Sequence, residues 1–303
     1  MTSTSLPAVA LAAVPGRRAR TLELAREIER RGFAGIYCAS FGDAMALCEA
    51  LAFSTGRIPF GTAIANLYTR HPADYASHAA FIHEVSGGRF RFGVGVSHDA
   101  MNRRLGLQTG RPLGDMREFV ETVRGTPRVG ELPPLVVAGL RKKMVGLAGE
   151  IGDGVVFANA SRSHMEASLG ALPKEKREDP DFFIGDMIPT CICDDREAAA
   201  AVNRKTLTMY VQLPNYRRYW KEAGYVEEME AIEKALEAGD RGSLTEHLSD
   251  RWLADATLFG SAAEVREGVE AWREAGVRTP IVVPSSASGG QFQAFEELFA
   301  AYA

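Results

Sequence analysis

Few residues in this chain of 303 are suited to chemistry, and those few sit directly behind short apolar runs. His98 is the foremost. It closes the stretch Val96-Ser97-His98 after the run 90–96, where an imidazole can donate a hydrogen bond or carry a proton near neutral pH. His71, ahead of Pro72, reads as a residue that holds a loop or lines a pocket, while His78, His83, His164 and His247 fall in helical or polar stretches and read as surface or packing residues. A basic triplet, Arg141-Lys142-Lys143, opens a segment of helical spacing over 141–150. A helix start carries about half a positive charge and disfavours cations. An anion there, such as a phosphate met by backbone N–H groups and flanking basic side chains, would compensate; long side chains bent into solvent are the competing reading. The serine- and glycine-rich stretch 285–290 is a rival anion loop. The chain shows no HExxH pair, carboxylate cluster or nucleophile elbow, so hydrolytic and metal chemistry lack support.

The elements that must position these residues follow from an alternation of short runs rich in Val, Ile and Phe with longer segments of helical period. The runs are 9–14, 35–40, 58–65, 90–96, 135–140, 154–158, 184–193 and 280–284. That is the βα grammar of a parallel sheet, and eight runs match a (β/α)8 TIM barrel of class α/β, whose chemistry sits in the loops after the strands. The spacing predicts helices with stripes Leu113, Met116, Val120, Val123 and Val265, Val269, Trp272, and a closing helix with Phe292, Phe295, Leu298 and Phe299 on its packed face. Ser86-Gly87-Gly88 marks a helix end. Residues 198–258 are long, charged and helical in composition, and read as a helical insertion between strands 7 and 8 over the barrel mouth. Its aromatics Tyr210, Tyr216, Tyr219 and Trp220 either wall a substrate pocket or pack the insertion down. Gly93-Val94-Gly95 carries two glycines of a dinucleotide fingerprint but lacks the third before a helix, which rejects a Rossmann reading.

Composition sets outer bounds. Hydrophobic residues at 46% and charged residues at 24% place the chain among ordinary globular proteins, and one barrel domain over 1–303 accommodates its length. A net charge of −4, with no basic run longer than the triplet, argues against nucleic-acid partners. The apolar start has no basic segment ahead of it and reads as a first strand, not a leader; no run reaches the ~18 apolar residues of a membrane span. Cys38, Cys48, Cys191 and Cys193 lack metal-ligand spacing and read as reduced packing residues of a cytoplasmic protein.

Several segments, taken in order, resemble the luciferase-like flavin and deazaflavin oxidoreductases over nearly the whole chain. They are Arg30-Arg31-Gly32-Phe33; Gly61-Thr62-Ala63-Ile64-Ala65-Asn66 leading to Arg70-His71-Pro72; Gly87-Gly88-Arg89-Phe90 leading to Gly93-Val94-Gly95-Val96-Ser97-His98; and Arg111-Pro112-Leu113-Gly114-Asp115-Met116-Arg117-Glu118. Pro133-Pro134-Leu135-Val136-Val137-Ala138-Gly139-Leu140 and Leu147-Ala148-Gly149-Glu150-Ile151-Gly152-Asp153-Gly154 follow. The Gly-Val-Ser-His stretch, the Arg-Pro-Leu stretch and Leu213-Pro214-Asn215-Tyr216 look most like the branch that uses the deazaflavin coenzyme F420.

The resemblance implies a tricyclic ring at the strand ends, backed by a non-prolyl cis peptide that would map to Ala63-Ile64, with the phosphate tail toward the fifth loop. The cofactor contacts it implies are Ser40, Ala63, Ile64, Asn66, Val96, Ser97, Ala138, Gly139, Leu140, Arg141 and Lys142, with His98 as the catalytic residue and no metal. It implies an F420-dependent oxidoreductase moving hydride between the deazaflavin and a small organic substrate, acting as a homodimer. An FMN-dependent monooxygenase and a non-catalytic flavin-binding subunit are the alternatives. One departure stands out: the family's sugar-phosphate dehydrogenases carry an acid-histidine pair after strand two and a glutamate after strand four, where this chain has Ser40, Phe41 and His98. Their substrate chemistry does not transfer.

Overall fold

The computed structural model describes residues 5–40 and 42–303; Phe41 lies outside the described residues. The architecture is the (β/α)8 barrel, an eight-stranded parallel barrel with surrounding helices. Its strands are apolar on both faces, as parallel strands covered by helices require, and β1 (Ala8–Leu11) is buried at all four positions.

The chain divides into two compact units. The first holds the chain to Phe157 together with Gly170–Gly185. Its elements run β1, α1 (Arg18–Arg31), β2 (Ile36–Cys38), α2 (Ala44–Ser54), β3 (Phe60–Thr62), β4 (Ala65–Asn66), α3 (Pro72–Val85), β5 (Phe90–Gly95), α4 (Asp99–Arg104), α5 (Pro112–Gly125), β6 (Leu135–Ala138), α6 (Lys142–Ile151) and β7 (Gly154–Ala158). Parallel register is set by Leu11 beside Cys38, Ile36 beside Phe60, Phe60 beside Phe90, Phe92 beside Leu135 and Val136 beside Gly154. The run 58–65 is therefore not one strand: it stops at Thr62 and resumes at Ala65, where β4 pairs with β5. Residues before the strands tie the helices down. Arg89 donates to Ser86 O (2.8 Å), Ala52 O (3.0 Å), Thr55 O (3.0 Å) and Ile58 O (3.1 Å), and so fixes the ends of α2 and α3 beside the entries to β3 and β5. On α5, Met116, Phe119, Val120 and Val123 are buried, but Leu113 is 38% exposed, so the expected stripe begins one turn later. Gly87 closes α3 at φ 65°, as its place after a periodic segment predicted.

Two further elements are α7 (Met165–Leu169), which belongs to the second unit, and α8 (Lys174–Glu178), which belongs to the first. β8 (Phe183–Ile192) then carries the chain into the second unit, Ala158–Leu169 with Asp186–Ala303. After it come α9 (Arg196–Val211), α10 (Pro214–Glu222), α11 (Val226–Glu237), a 3-10 turn at Ser243–His247 and α12 (Asp250–Ala256), so the segment read as helical is helical. Its end differs from expectation: Leu258 opens a short strand, β9 (Leu258–Gly260), which pairs in parallel with β8 through Thr190 and Leu258. α13 (Ala262–Glu274), β10 (Thr279–Ser285) and α14 (Gln291–Ala301) complete the unit. The insertion's aromatics are packing residues. Tyr216, Tyr219 and Trp220 are at most 5% exposed, and ring centroids lie 5.3 Å apart for Tyr216–Trp220 and 4.8 Å for Trp220–Trp252. The same helices grip the loop after β7: Trp220 Nε1 donates to Asn159 O (3.2 Å), Ser161 N to the Tyr219 hydroxyl (3.1 Å), and Ser163 N to Asp255 Oδ1 (2.9 Å).

Asp186 on β8 is fully buried, and neither carboxyl oxygen has a hydrogen bond of full geometry, although the Ala160 and Met187 amides face it. Burial holds this carboxyl well above the usual range, against the opposing effect of those amides. Its folded pKa exceeds its unfolded one, so its contribution is fullest below the ordinary carboxyl value of about 3.9 and declines as pH rises toward the folded pKa, by at most about 1.4 kcal/mol per pH unit. Urea unfolding across pH 4–8 is expected to show this decline in the wild-type chain and a shallower one in Asp186→Asn; equal slopes would contradict it.

Candidate active site

The first unit brings most of the expected site residues to the carboxyl ends of β4, β5 and β6. β5 lies close against the interrupted third strand because two of its residues lack side chains. A Cβ at Gly93 would stand 1.9 Å from Thr62 O, and one at Gly95 would stand 3.0 Å from both Ala138 Cβ and Ile64 Cδ1. Thr62 Oγ1 reinforces the approach by donating to Gly93 O at 2.6 Å. The Ala63-Ile64 peptide at the interruption is cis. Its backbone stays satisfied nearby, with Ala63 N donating to Cys38 O (2.8 Å) and Leu67 N to Gly95 O (3.0 Å). Ala63 is buried, whereas Ile64, Val96, Ser97, Ala138 and Leu140 keep part of their surface. Ile64, Gly95 and Ala138 thus form one small apolar platform at the strand ends.

Beside it the chain turns sharply. Ser97 is left-handed at φ 54°, and His98 then heads α4 without capping it. The imidazole is half-buried; burial pulls its pKa below the ordinary value of 6.5, with Asp99 pulling weakly the other way. At neutral pH His98 is therefore an uncharged imidazole, able to accept a proton. Asn66, expected to face a cofactor, is drawn into a brace: its Nδ2 donates to Asn102 Oδ1 (2.8 Å) and its Oδ1 accepts from Tyr68 N (3.1 Å). The Tyr68 hydroxyl donates to Asp115 Oδ2 (2.6 Å), and Asp115 also takes Gly110 N (2.8 Å) and Arg111 N (3.1 Å). Burial, then the Asp115 carboxylate, pushes the Tyr68 phenol far up, so it remains protonated. Tyr68, Asn102 and Asp115 were not among the residues expected to act here. For Asn102 a signal existed, since it stands four residues after His98 and so belongs to the same helical face.

The second loop reaches the third through charge. Asp43 caps α2 with one oxygen (3.1 Å to Ala46 N) and accepts from Arg70 with the other (2.8 Å). Arg70 also reaches His78 Nδ1 at 3.0 Å. His71 holds its loop, as expected, by accepting from Ala73 N through Nδ1 (3.2 Å). Ser40 is exposed after β2.

The two anion loops separate clearly. Arg141, Lys142 and Lys143 are exposed around the start of α6, no side chain caps that end, and Gly139 is packed close to Val145 N. The helix start stays open and cationic. In the second unit, by contrast, Glu297 Oε1 already accepts from Ser286 Oγ (2.7 Å) and Ser288 Oγ (3.1 Å). A carboxylate among those serines repels a phosphate, so the rival loop is a poor anion site.

Comparison with known proteins fits this geometry. A family model described as luciferase-like monooxygenase matches residues 4–279. A Mycobacterium tuberculosis protein named as a coenzyme F420-dependent oxidoreductase is 25% identical over 315 residues, covering 88% of this chain and 90% of its own. The coenzyme F420 dependent tetrahydromethanopterin reductase of Methanopyrus kandleri superposes with a TM-score of 0.76 at 20% identity, covering 97% of each chain. The oxygenating constituent of 3,6-diketocamphane monooxygenase from Pseudomonas putida, in complex with FMN, superposes at 0.57 and 19% identity, covering 91% of this chain and 92% of its own.

Tyr68→Phe removes the 2.6 Å bond to Asp115 while keeping the ring. It is expected to lower stability by about 1 kcal/mol in urea unfolding. No change would mean that the Asp115 anchor works without Tyr68.

Proposed function

The chain belongs to the luciferase-like monooxygenase family, and is thus an enzyme of oxidoreductase type; from this premise we propose that it is an F420-dependent oxidoreductase moving hydride between a deazaflavin and a small organic substrate. The observation that carries the reading is the platform of Ile64, Gly95 and Ala138, set beside His98 and ahead of an open cationic helix start. These residues fit a flat ring with an anionic tail. Small apolar groups admit close contact with a ring face, with Ala63, Val96, Ser97, Gly139 and Leu140 around it, and Arg141 with Lys142 offers charge to the tail. When bound, the deazaflavin supplies the hydride chemistry. The chain orients the substrate, and neutral His98 accepts the proton that a hydroxyl group gives up or, once protonated, returns it to the oxygen of a carbonyl. The F420-dependent relative and reductase support the deazaflavin over FMN.

We also propose that the enzyme works in the cytoplasm, in keeping with its four free cysteines, and as a homodimer. The face assigned to the second copy is that of α2 and α3, where Phe53 (67% exposed) and Phe81 (46% exposed) lie with ring centroids 6.4 Å apart.

Equilibrium titration tests the cofactor. Deazaflavin is expected to bind saturably and FMN at least about tenfold more weakly, with Arg141→Ala/Lys142→Ala lowering deazaflavin affinity about tenfold at low salt and less at high salt. Saturable binding of FMN alone would replace this reading with an FMN-dependent monooxygenase. His98→Ala is expected to reduce turnover about 100-fold with cofactor affinity nearly unchanged. In sedimentation, Phe53→Asp/Phe81→Asp should convert a dimer to a monomer; a monomeric wild type would refute the assembly.

A further inference from the structure

His98 stands on a turn that does not hold itself. α4 spans only Asp99–Arg104, too short to be stable alone, and Ser97 adopts a left-handed conformation that costs a non-glycine residue about 1 kcal/mol. Asn102 supplies what the turn lacks. It is 2% exposed, and its side-chain Nδ2 donates to Val96 O at 3.0 Å. Its backbone N donates to His98 O (2.9 Å), and its backbone O accepts from Leu107 N (2.9 Å). The orientation of its amide is forced from both ends. Tyr68 N can only donate, so Asn66 presents Oδ1 to it and turns Nδ2 toward Asn102; Val96 O can only accept, so Asn102 presents Nδ2 there and Oδ1 toward Asn66. The two amides form a one-directional relay between fixed backbone groups.

We infer that Asn102 is a positioning residue for His98: aligned by Asn66, it locks the Ser97 turn and so sets the direction and burial of the imidazole. The inference rests on His98 being the proton-transfer group proposed above. Tyr68 and Asp115 extend the relay to the start of α5, which joins the loops after the third and fourth barrel strands into one hydrogen-bonded body. Loosening the turn would let water reach the imidazole and undo the effect of burial on its proton affinity.

Proton NMR of the cofactor-free chain tests this, with the His98 signal assigned through His98→Gln. Asn102→Asp sets a carboxylate oxygen against Val96 O, and Asn66→Ala/Asn102→Ala removes both amides together, so that neither amide is left facing a missing one, while Tyr68 N and Val96 O lose their side-chain bonds. In both variants the His98 midpoint is expected to rise toward about 6.5. Turnover of the loaded enzyme should fall about tenfold with KM within about twofold. An unmoved His98 midpoint in the folded double variant overturns the inference, even if turnover falls. Full turnover in His98→Gln together with a shifted midpoint in the Asn102 variants overturns the functional reading instead and supports the positioning role.

Discussion

The approach of two backbones, Thr62 on the third strand and Gly93 on the fourth, is the constraint on which the site depends. No side chain fits between them, since a Cβ at residue 93 would lie 1.9 Å from Thr62 O. Because β5 comes so near, the interrupted third strand can resume as β4 and keep its pairing, with Asn66 beside Gly95. That pairing places Ile64 against Gly95 and Ala138, and it brings Asn66 within reach of Asn102. Platform and brace therefore share one origin. A side chain at either glycine would disturb the apolar platform and the His98 turn together.

Charge is handled in two different ways around this frame. Asp43 and Asp115 each have their carboxylates engaged by hydrogen-bond donors, which ties together the chain on either side of them. Such bonds to charged groups are among the stronger contributions a partly exposed loop can have. The cations at the start of α6 are of the other kind. Lys142 and Lys143 form no ion pair among the described residues, and they stand where the helix dipole opposes them. On the proposed reading, this unfavourable but solvent-open location is where the anionic tail of the cofactor is received.

Much of this was legible in the sequence, and the exceptions are physically instructive. Seven of the eight apolar runs read as single strands because parallel strands buried on both faces leave an uninterrupted signal, whereas the run 58–65 hid its break because the residues at the break, Ala63 and Ile64, are themselves apolar. The cations of 141–143 were legible as an anomaly because they contradict the preference at a helix start, and the structure does begin that helix at Lys142. Leu258 was misplaced because a three-residue strand at the end of a helical segment has no period of its own. Leu113 continues the stripe of α5 in sequence but falls in its first, exposed turn, a difference that periodicity alone does not register. Asn66 was read as facing a cofactor, and no pattern revealed that its amide joins Asn102, because a hydrogen bond between residues 36 apart depends on tertiary geometry. The serines of 285–290 looked like an anion loop until Glu297, a turn and a half into the following helix, was found among them.

The most direct test is a crystal structure of the chain grown with coenzyme F420. The account predicts the deazaflavin ring against Ile64, Gly95 and Ala138, His98 at the edge of its open face, and the phosphate at the start of α6 near Arg141 and Lys142. A ring bound away from that platform, or a phosphate seated among Ser285–Ser288, would contradict it.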